Sequence, residues 1–236
     1  MNVFCLNKKA ICLMAFVTCC ANVYSSEEPL NSKTSSQELT DIFNLYCASP
    51  SDICEHLPPL SQLAAQCTSV VEIGIRSVVS TWAVLKGLSD VQKPGLFYLG
   101  IDLDDPPTEV WQRAESLARS CGIDFHFWKA NDMTIDLPAV DMLFIDSLHT
   151  YCHLTYELEK FSPQVRKFIA MHDTSAPWGH EDDHAYGGNY SEYSPWIDRT
   201  KKGLWPAVVD FLNRHPEWKL LERRFNNHGF TVLQRI

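Results

Sequence analysis

From residue 69 onward, short apolar runs alternate with stretches whose apolar residues recur at helical spacing. The runs are SVVEIGI (69–75), LFYLGIDL (96–103), DFHFWKA (124–130), VDMLFID (140–146) and KFIAMHD (167–173). Between them lie STWAVLKGL, TEVWQRAESLARSCG and HLTYELEKFSPQV, which fit crossover helices. That alternation predicts an α/β fold with a parallel sheet, right-handed crossovers and helices on both faces. Downstream, LWPAVVDFLNRH (204–215) reads as a helix. WKLLERRF and GFTVLQR, joined by Asn226, Asn227, His228 and Gly229, read as a β-hairpin closing the sheet. Upstream, SSQE from Ser35 resembles a capping box, followed by Leu39, Ile42, Phe43 and Tyr46 at helical spacing. LSQLAAQC after Pro59 reads as a short helix. Residues 174–203 read as a long irregular insert, and no internal repeat is present.

The N-terminus follows a different pattern. Lys8 and Lys9 precede an apolar run from Ala10 to about Ala21, and small and polar residues follow. This is the form of a secretory signal over 1–25, with Val23 and Ser25 suiting a small-residue cleavage rule and Cys19 with Ala21 as a second choice. An uncleaved membrane anchor is the alternative, although the run is short for a span of about 20 residues. Residues 26–36 read as a polar linker and 37–236 as one domain.

Composition narrows the function classes. The chain of 236 residues carries 20 basic against 29 acidic residues, a net charge of −9, and loss of residues 1–25 would make it −11. That balance argues against nucleic acid as a partner and leaves the leader, if uncleaved, as the membrane contact. Five cysteines lie beyond the leader: Cys47, Cys54, Cys67, Cys121 and Cys152. They form no CxxC, which excludes a thiolate zinc site of the usual spacing. Cys47 pairs with Cys54 or Cys67 in an oxidising compartment, or the thiols are free and buried.

The order of five parallel strands, a helix and an antiparallel hairpin resembles the seven-stranded Rossmann-like fold of class I S-adenosylmethionine (SAM) dependent methyltransferases. EHLPPL, VVEIGIRSVVSTWAVLKGL, YLGIDLD, LFIDSLHTYCHLTYELEKF, FIAMHDT and GLWPAVVDFLNRHPEWKL are similar to a subgroup near the cephalosporin-hydroxylase-like and macrocin-type O-methyltransferases. The resemblance spans about residues 50–236 and implies the strand order 3-2-1-4-5-7-6, with an N-terminal helical cap. It implies SAM as cofactor and a hydroxyl on a sugar or small molecule as acceptor. The alternative is a secreted, non-catalytic binding protein on a decayed methyltransferase fold.

Open α/β sheets bind ligands beyond the carboxyl ends of their strands, where the strand order reverses. Glu72 and Gly74 close the first strand, and Ser80 and Thr81 open the next helix, where hydroxyl and backbone donors would face the SAM carboxylate. EIGIRSVVS holds one glycine where the general motif has two or three, and Arg76 occupies the loop. By the resemblance, Asp102 accepts the ribose hydroxyls, with Asp104 as fallback, and Asn131, Asp132 and Met133 contact adenine.

Asp146 and His149 follow the fourth strand, and His172 and Asp173 follow the fifth. Two carboxylates and two imidazoles on adjacent strand ends fit a hard divalent ion that acidifies a hydroxyl, or else two hydrogen-bonded His–Asp pairs. The resemblance implies Mg²⁺ on Asp146 and Asp173, with His172 as ligand or base, His149 as a second catalytic base, and His149 and Tyr151 lining the cleft. His180 and His184, four apart in the insert, suit a mobile lid as well as a metal loop. Glu55 and His56 either shape a lid over the cofactor or cap the following helix. A leader on a SAM enzyme leaves three resolutions: an anchor with a cytoplasmic domain, a lumen supplied with SAM, or loss of methyl transfer. Lys8 and Lys9 favour export.

Overall fold

A computed structural model of the chain describes residues 34–183 and 193–236. The expected leader at 1–25, residues 26–33 of the expected linker, and His184 lie outside the described residues. Among the described residues no helix is long and apolar enough to cross a membrane.

The helix expected from Ser35 is α1 (Ser35–Ala48), so the last two positions of the expected linker are helical. Its cap sits one residue earlier than the SSQE reading: the Gln37 amide donates to Thr34 Oγ1 at 3.2 Å. Pro58 and Pro59 lie in the first turn of α2 (Leu57–Ala64), where a missing N–H is harmless. Then come β1 (Ser69–Ile73), α3 (Val79–Ser89), β2 (Leu96–Asp102), α4 (Thr108–Ser120) and β3 (Ile123–Lys129). β4 (Val140–Ile145), α5 (Tyr151–Phe161), β5 (Val165–His172), α6 (Leu204–Arg214), β6 (Trp218–Arg224) and β7 (Phe230–Arg235) complete the chain.

One seven-stranded sheet has the order β3-β2-β1-β4-β5-β7-β6, as the resemblance implied. The first five strands pair in parallel and β7 runs antiparallel to both β5 and β6. WKLLERRF and GFTVLQR therefore form the expected hairpin. Every residue of β1 and β4 is buried, as parallel strands covered on both faces require. One core, with Leu39, Leu60, Trp82 and Leu117, packs α1–α4 on one face. The other, with Leu154, Leu158, Val208 and Phe211, packs α5 and α6 on the opposite face. The order reverses between β1 and β4, so the crevice for a ligand opens at their carboxyl ends.

The cysteine pairs weighed from spacing do not form: all five are free thiols, with Cys67 and Cys152 buried.

Candidate functional site

β1 and β4 come unusually close at their ends because residue 74 has no side chain. A Cβ on Gly74, whose φ is +90°, would lie 2.0 Å from the Asp146 carbonyl oxygen. The loop that follows keeps a glycine-like backbone without the glycines. Arg76 has φ +43° and Val78 φ +67°, left-handed values that a branched side chain rarely adopts. Asp102 at the end of β2 holds this loop, accepting the Ile75 amide at 2.7 Å and the Arg76 amide at 3.0 Å on Oδ2. Its Oδ1 takes only the Asp104 amide, at 3.1 Å, so it retains a lone pair that a ribose hydroxyl could use.

Ser80 does not fit its expected role. It and Thr81 are buried, and their hydroxyls donate to Glu72, Thr81 at 2.9 Å to Oε2. The Tyr98 hydroxyl also donates to Glu72. Glu72 is fully buried, and burial pushes its carboxyl up to about 7 despite the bonds from Ser80, Tyr98 and Thr81. Glu72 is thus a structural hub tying β1, β2 and α3 together, with its oxygens turned away from any ligand. Arg76 points outward to Asp52, 2.7 Å away. Asp132 is also turned from its expected place: it is buried, with Oδ2 2.7 Å from His153 Nε2. Met133, half-buried on the same turn, remains on the wall where adenine contact was expected.

The ends of β4 and β5 do bring Asp146, His149, His172 and Asp173 together. His172 Nδ1 lies 3.2 Å from Asp173 Oδ2 and 3.5 Å from Asp146 Oδ1. His149 Nε2 lies 3.0 Å and 3.5 Å from the same two oxygens. Asp173 reaches inward from a left-handed backbone, φ +57°, a conformation aspartate tolerates. His172 Nε2 faces the Asn227 carbonyl at 3.1 Å, an acceptor only, so that nitrogen carries the proton and Nδ1 is left toward two carboxylates. A lone pair facing two acceptors has to be bridged by a proton or a cation.

In the ion-free cluster the bridge is protonic. Burial alone would lower both histidines, but Asp146 and Asp173 outweigh it and raise His149 to about 9 and His172 to about 10. The carboxyls move the opposite way: burial would raise them, and the two imidazoles hold both well below the usual range. A charged imidazole in this cluster holds its proton until the carboxylate charge is balanced in another way, so the expected role of His149 or His172 as proton acceptor depends on that balance. A divalent ion fits the donor set: one nitrogen and two carboxylate oxygens of Asp146, His172 and Asp173 lie within 4.8 Å of one another. Both ring nitrogens of His149 are buried without a well-aligned hydrogen-bond partner, which points to the same missing group.

The insert reaches this cluster. Trp178 stacks on His149 at 6.0 Å between ring centroids, and the Asp183 amide donates to the His149 carbonyl at 2.8 Å. Asp183 Oδ2 lies 4.0 Å from His149 Nδ1. Neither residue was singled out from sequence, since only the chain's return over β4 brings them in. His180 is exposed. Tyr151, expected in the cleft, is buried and donates to Asp210 at 2.6 Å. His56 occupies the N-cap position of α2, as one reading of EHLPPL expected, but its side chain makes no capping bond there. His56 Nε2 contacts the Asn226 and Asn227 carbonyls at 2.9 and 3.2 Å, and Asn226 donates to Glu55, clamping the hairpin turn whose Asn227 carbonyl faces His172.

No family model matches the chain, and no curated protein matches it in sequence. Solved structures match its fold. A Corynebacterium glutamicum protein is 15% identical, with a TM-score of 0.51, over 89% of this chain and 93% of its own. Cofactor-bound Rv0187 from MTB is 15% identical, TM-score 0.52, over 88% and 92%. An O-methyltransferase family protein from Burkholderia thailandensis is 9% identical, TM-score 0.52, over 85% of this chain and 59% of its own. The likeness to the class I methyltransferases that the motifs implied therefore holds at the level of the fold.

Proposed function

We propose that this chain is a SAM-dependent O-methyltransferase acting on a hydroxyl of a sugar or other small molecule, with a divalent ion held by Asp146, Asp173 and His172. The observation that carries the reading is the convergence of two carboxylates and His172 Nδ1 beside the β1–β4 crevice. The solved Burkholderia protein of this fold is itself described as an O-methyltransferase family protein. Asp102 Oδ1 and Met133 are the residues that fit SAM on the other side of the crevice. Ser80 is not.

Bound SAM would supply an already activated methyl group, so the protein's work is proximity, alignment and acceptance of one proton. A divalent ion at Asp146, Asp173 and His172 would make an acceptor hydroxyl more acidic and balance the carboxylate charge. With that charge balanced, His149 Nε2 would be placed to accept the hydroxyl proton. Trp178 stacks behind the ring and holds its orientation. A cleaved leader over residues 1–25 would place this chemistry across a membrane, and N-terminal sequencing of protein from its native host tests that part of the reading.

Calorimetry with SAM and its demethylated product, followed by a screen of hydroxylated acceptors with labelled SAM, tests the function. Asp146→Asn and Asp173→Asn should each lower turnover at least about 100-fold, the scale of a lost acid–base or metal contribution. Unchanged turnover in both variants would remove the assigned roles. No SAM binding by the folded protein, with or without Mg²⁺, would favour the binding-protein alternative.

A further inference from the structure

A second buried cluster lies on the cofactor side of α5. His153 and Glu157, four residues apart, share one face of that helix, and Asp132 reaches them from the turn after β3. One ligand atom from each lies within 4.8 Å of the others. All three are buried: Asp132 is 7% exposed, His153 6% and Glu157 not at all.

We propose that Asp132, His153 and Glu157 form a divalent-cation site that takes zinc, separate from the Asp146–His172–Asp173 cluster. One imidazole and two carboxylates are zinc donors. Tetrahedral zinc with bonds of about 2.0–2.1 Å sets its ligand atoms about 3.3 Å apart. His153 Nε2 lies 2.7 Å from Asp132 Oδ2 and 3.8 Å from Glu157 Oε1, spacings on either side of that value. The other ring nitrogen, Nδ1, lies 2.8 Å from the Tyr193 hydroxyl, the kind of outer contact that fixes a metal-binding imidazole. Ser147 donates to Glu157 Oε1 at 2.7 Å, while Oε2 is buried and receives no N–H or hydroxyl donor, and the Glu157 carboxyl is in hydrogen-bond contact with the Asp132 carboxyl. Two buried carboxyls in contact have to be bridged by a proton or by a cation, and the imidazole nitrogen beside them completes a donor set for the cation.

The ion would lock α5 to the turn that carries Met133. Lys160 already makes part of that connection, donating to the Asp132 and Met133 carbonyls at 3.1 and 2.8 Å. The site would thus stiffen the wall where a cofactor is expected, whatever the acceptor.

The test uses the full chain, stripped with a chelator, with Asp146→Asn and Asp173→Asn together to silence the first cluster. Titration with zinc alone should show one ion bound at micromolar affinity or tighter, and X-ray absorption should show one imidazole among oxygens at about 2.0–2.1 Å. Adding Glu157→Gln should weaken zinc at least about 100-fold, more than loss of an outer partner costs. His153→Asn should remove the imidazole signal. In the wild-type background Glu157→Gln should lower the zinc stoichiometry by one, which decides the matter if the double variant does not fold. Absence of zinc in the double variant, or a zinc site that survives Glu157→Gln and His153→Asn, would overturn the proposal in favour of a self-contained hydrogen-bond network.

Discussion

At the ends of β1 and β2 every acid is answered by the chain itself. Glu72 receives hydroxyls from Ser80, Thr81 and Tyr98, and Asp102 receives backbone amides from Ile75, Arg76 and Asp104. Across the crevice, at the ends of β4 and β5, Asp146 and Asp173 face His149 and His172. Both arrangements sit at strand ends in one sheet, yet the first is closed by hydroxyl and amide donors, while the second pairs carboxylates with imidazoles. The first end therefore holds a shape through fixed donors, and the second holds paired charges whose balance a proton can change.

The largest test concerns the place where the two ends touch. Gly74→Ala would put a Cβ against the Asp146 carbonyl and would also force alanine to φ +90°. Neither the backbone contact nor the dihedral can relax without parting β1 from β4. A loss of about 4 kcal/mol is expected, in the range reserved for core overpacking combined with backbone strain. Urea denaturation measures it. A loss below about 1 kcal/mol would mean that the two ends are not rigidly coupled.

Glu72 sharpens the contrast through pH. Its carboxyl titrates near 7 in the fold against an ordinary value of 4.5. The folded protein therefore holds this proton more tightly than the unfolded chain, and its contribution is complete below about pH 4.5 and lost as pH rises through 7. The size is about 3 kcal/mol, since each tenfold gain in proton affinity is worth about 1.4 kcal/mol. Glu72→Gln keeps the shape and removes the titration, since the three hydroxyls can turn to suit an amide. Denaturation curves across that window should show wild type losing stability relative to the variant. Parallel curves would mean that Ser80, Thr81 and Tyr98 hold Glu72 as an anion, and the first end would then resemble the second.

The architecture was legible wherever a run was apolar and continuous. VDMLFID and SVVEIGI can only be strands buried on both faces, and the hairpin announces itself through Asn226–Gly229. Asp146, His172 and Asp173 were legible as a site because strand ends in such a sheet open on one crevice. The roles of Ser80 and Glu72 were not, because they depend on Tyr98, a side chain of the neighbouring strand 26 residues away. His153 and Glu157 were hidden for a related reason: on α5 they read as an ordinary helix face, and only the turn at Asp132 gives them a third partner. Sequence spacing reports what one element presents to its surroundings. It does not report what another element presents in return.

The smallest test asks what the loop between the two ends costs. Arg76 sits at φ +43°, in a loop that keeps one glycine, and its side chain is 72% exposed in the ion pair with Asp52. Arg76→Gly and Arg76→Ala both remove that ion pair, so their comparison isolates the backbone. Alanine keeps the clash between Cβ and carbonyl that disfavours left-handed residues, and glycine removes it, at the expense of a more flexible unfolded chain. The glycine variant should be the more stable of the two by about 1 kcal/mol. The same denaturation experiment resolves a difference of that size. If alanine proves equal or better, the loop carries no strain at residue 76, and its shape rests on the amide bonds to Asp102.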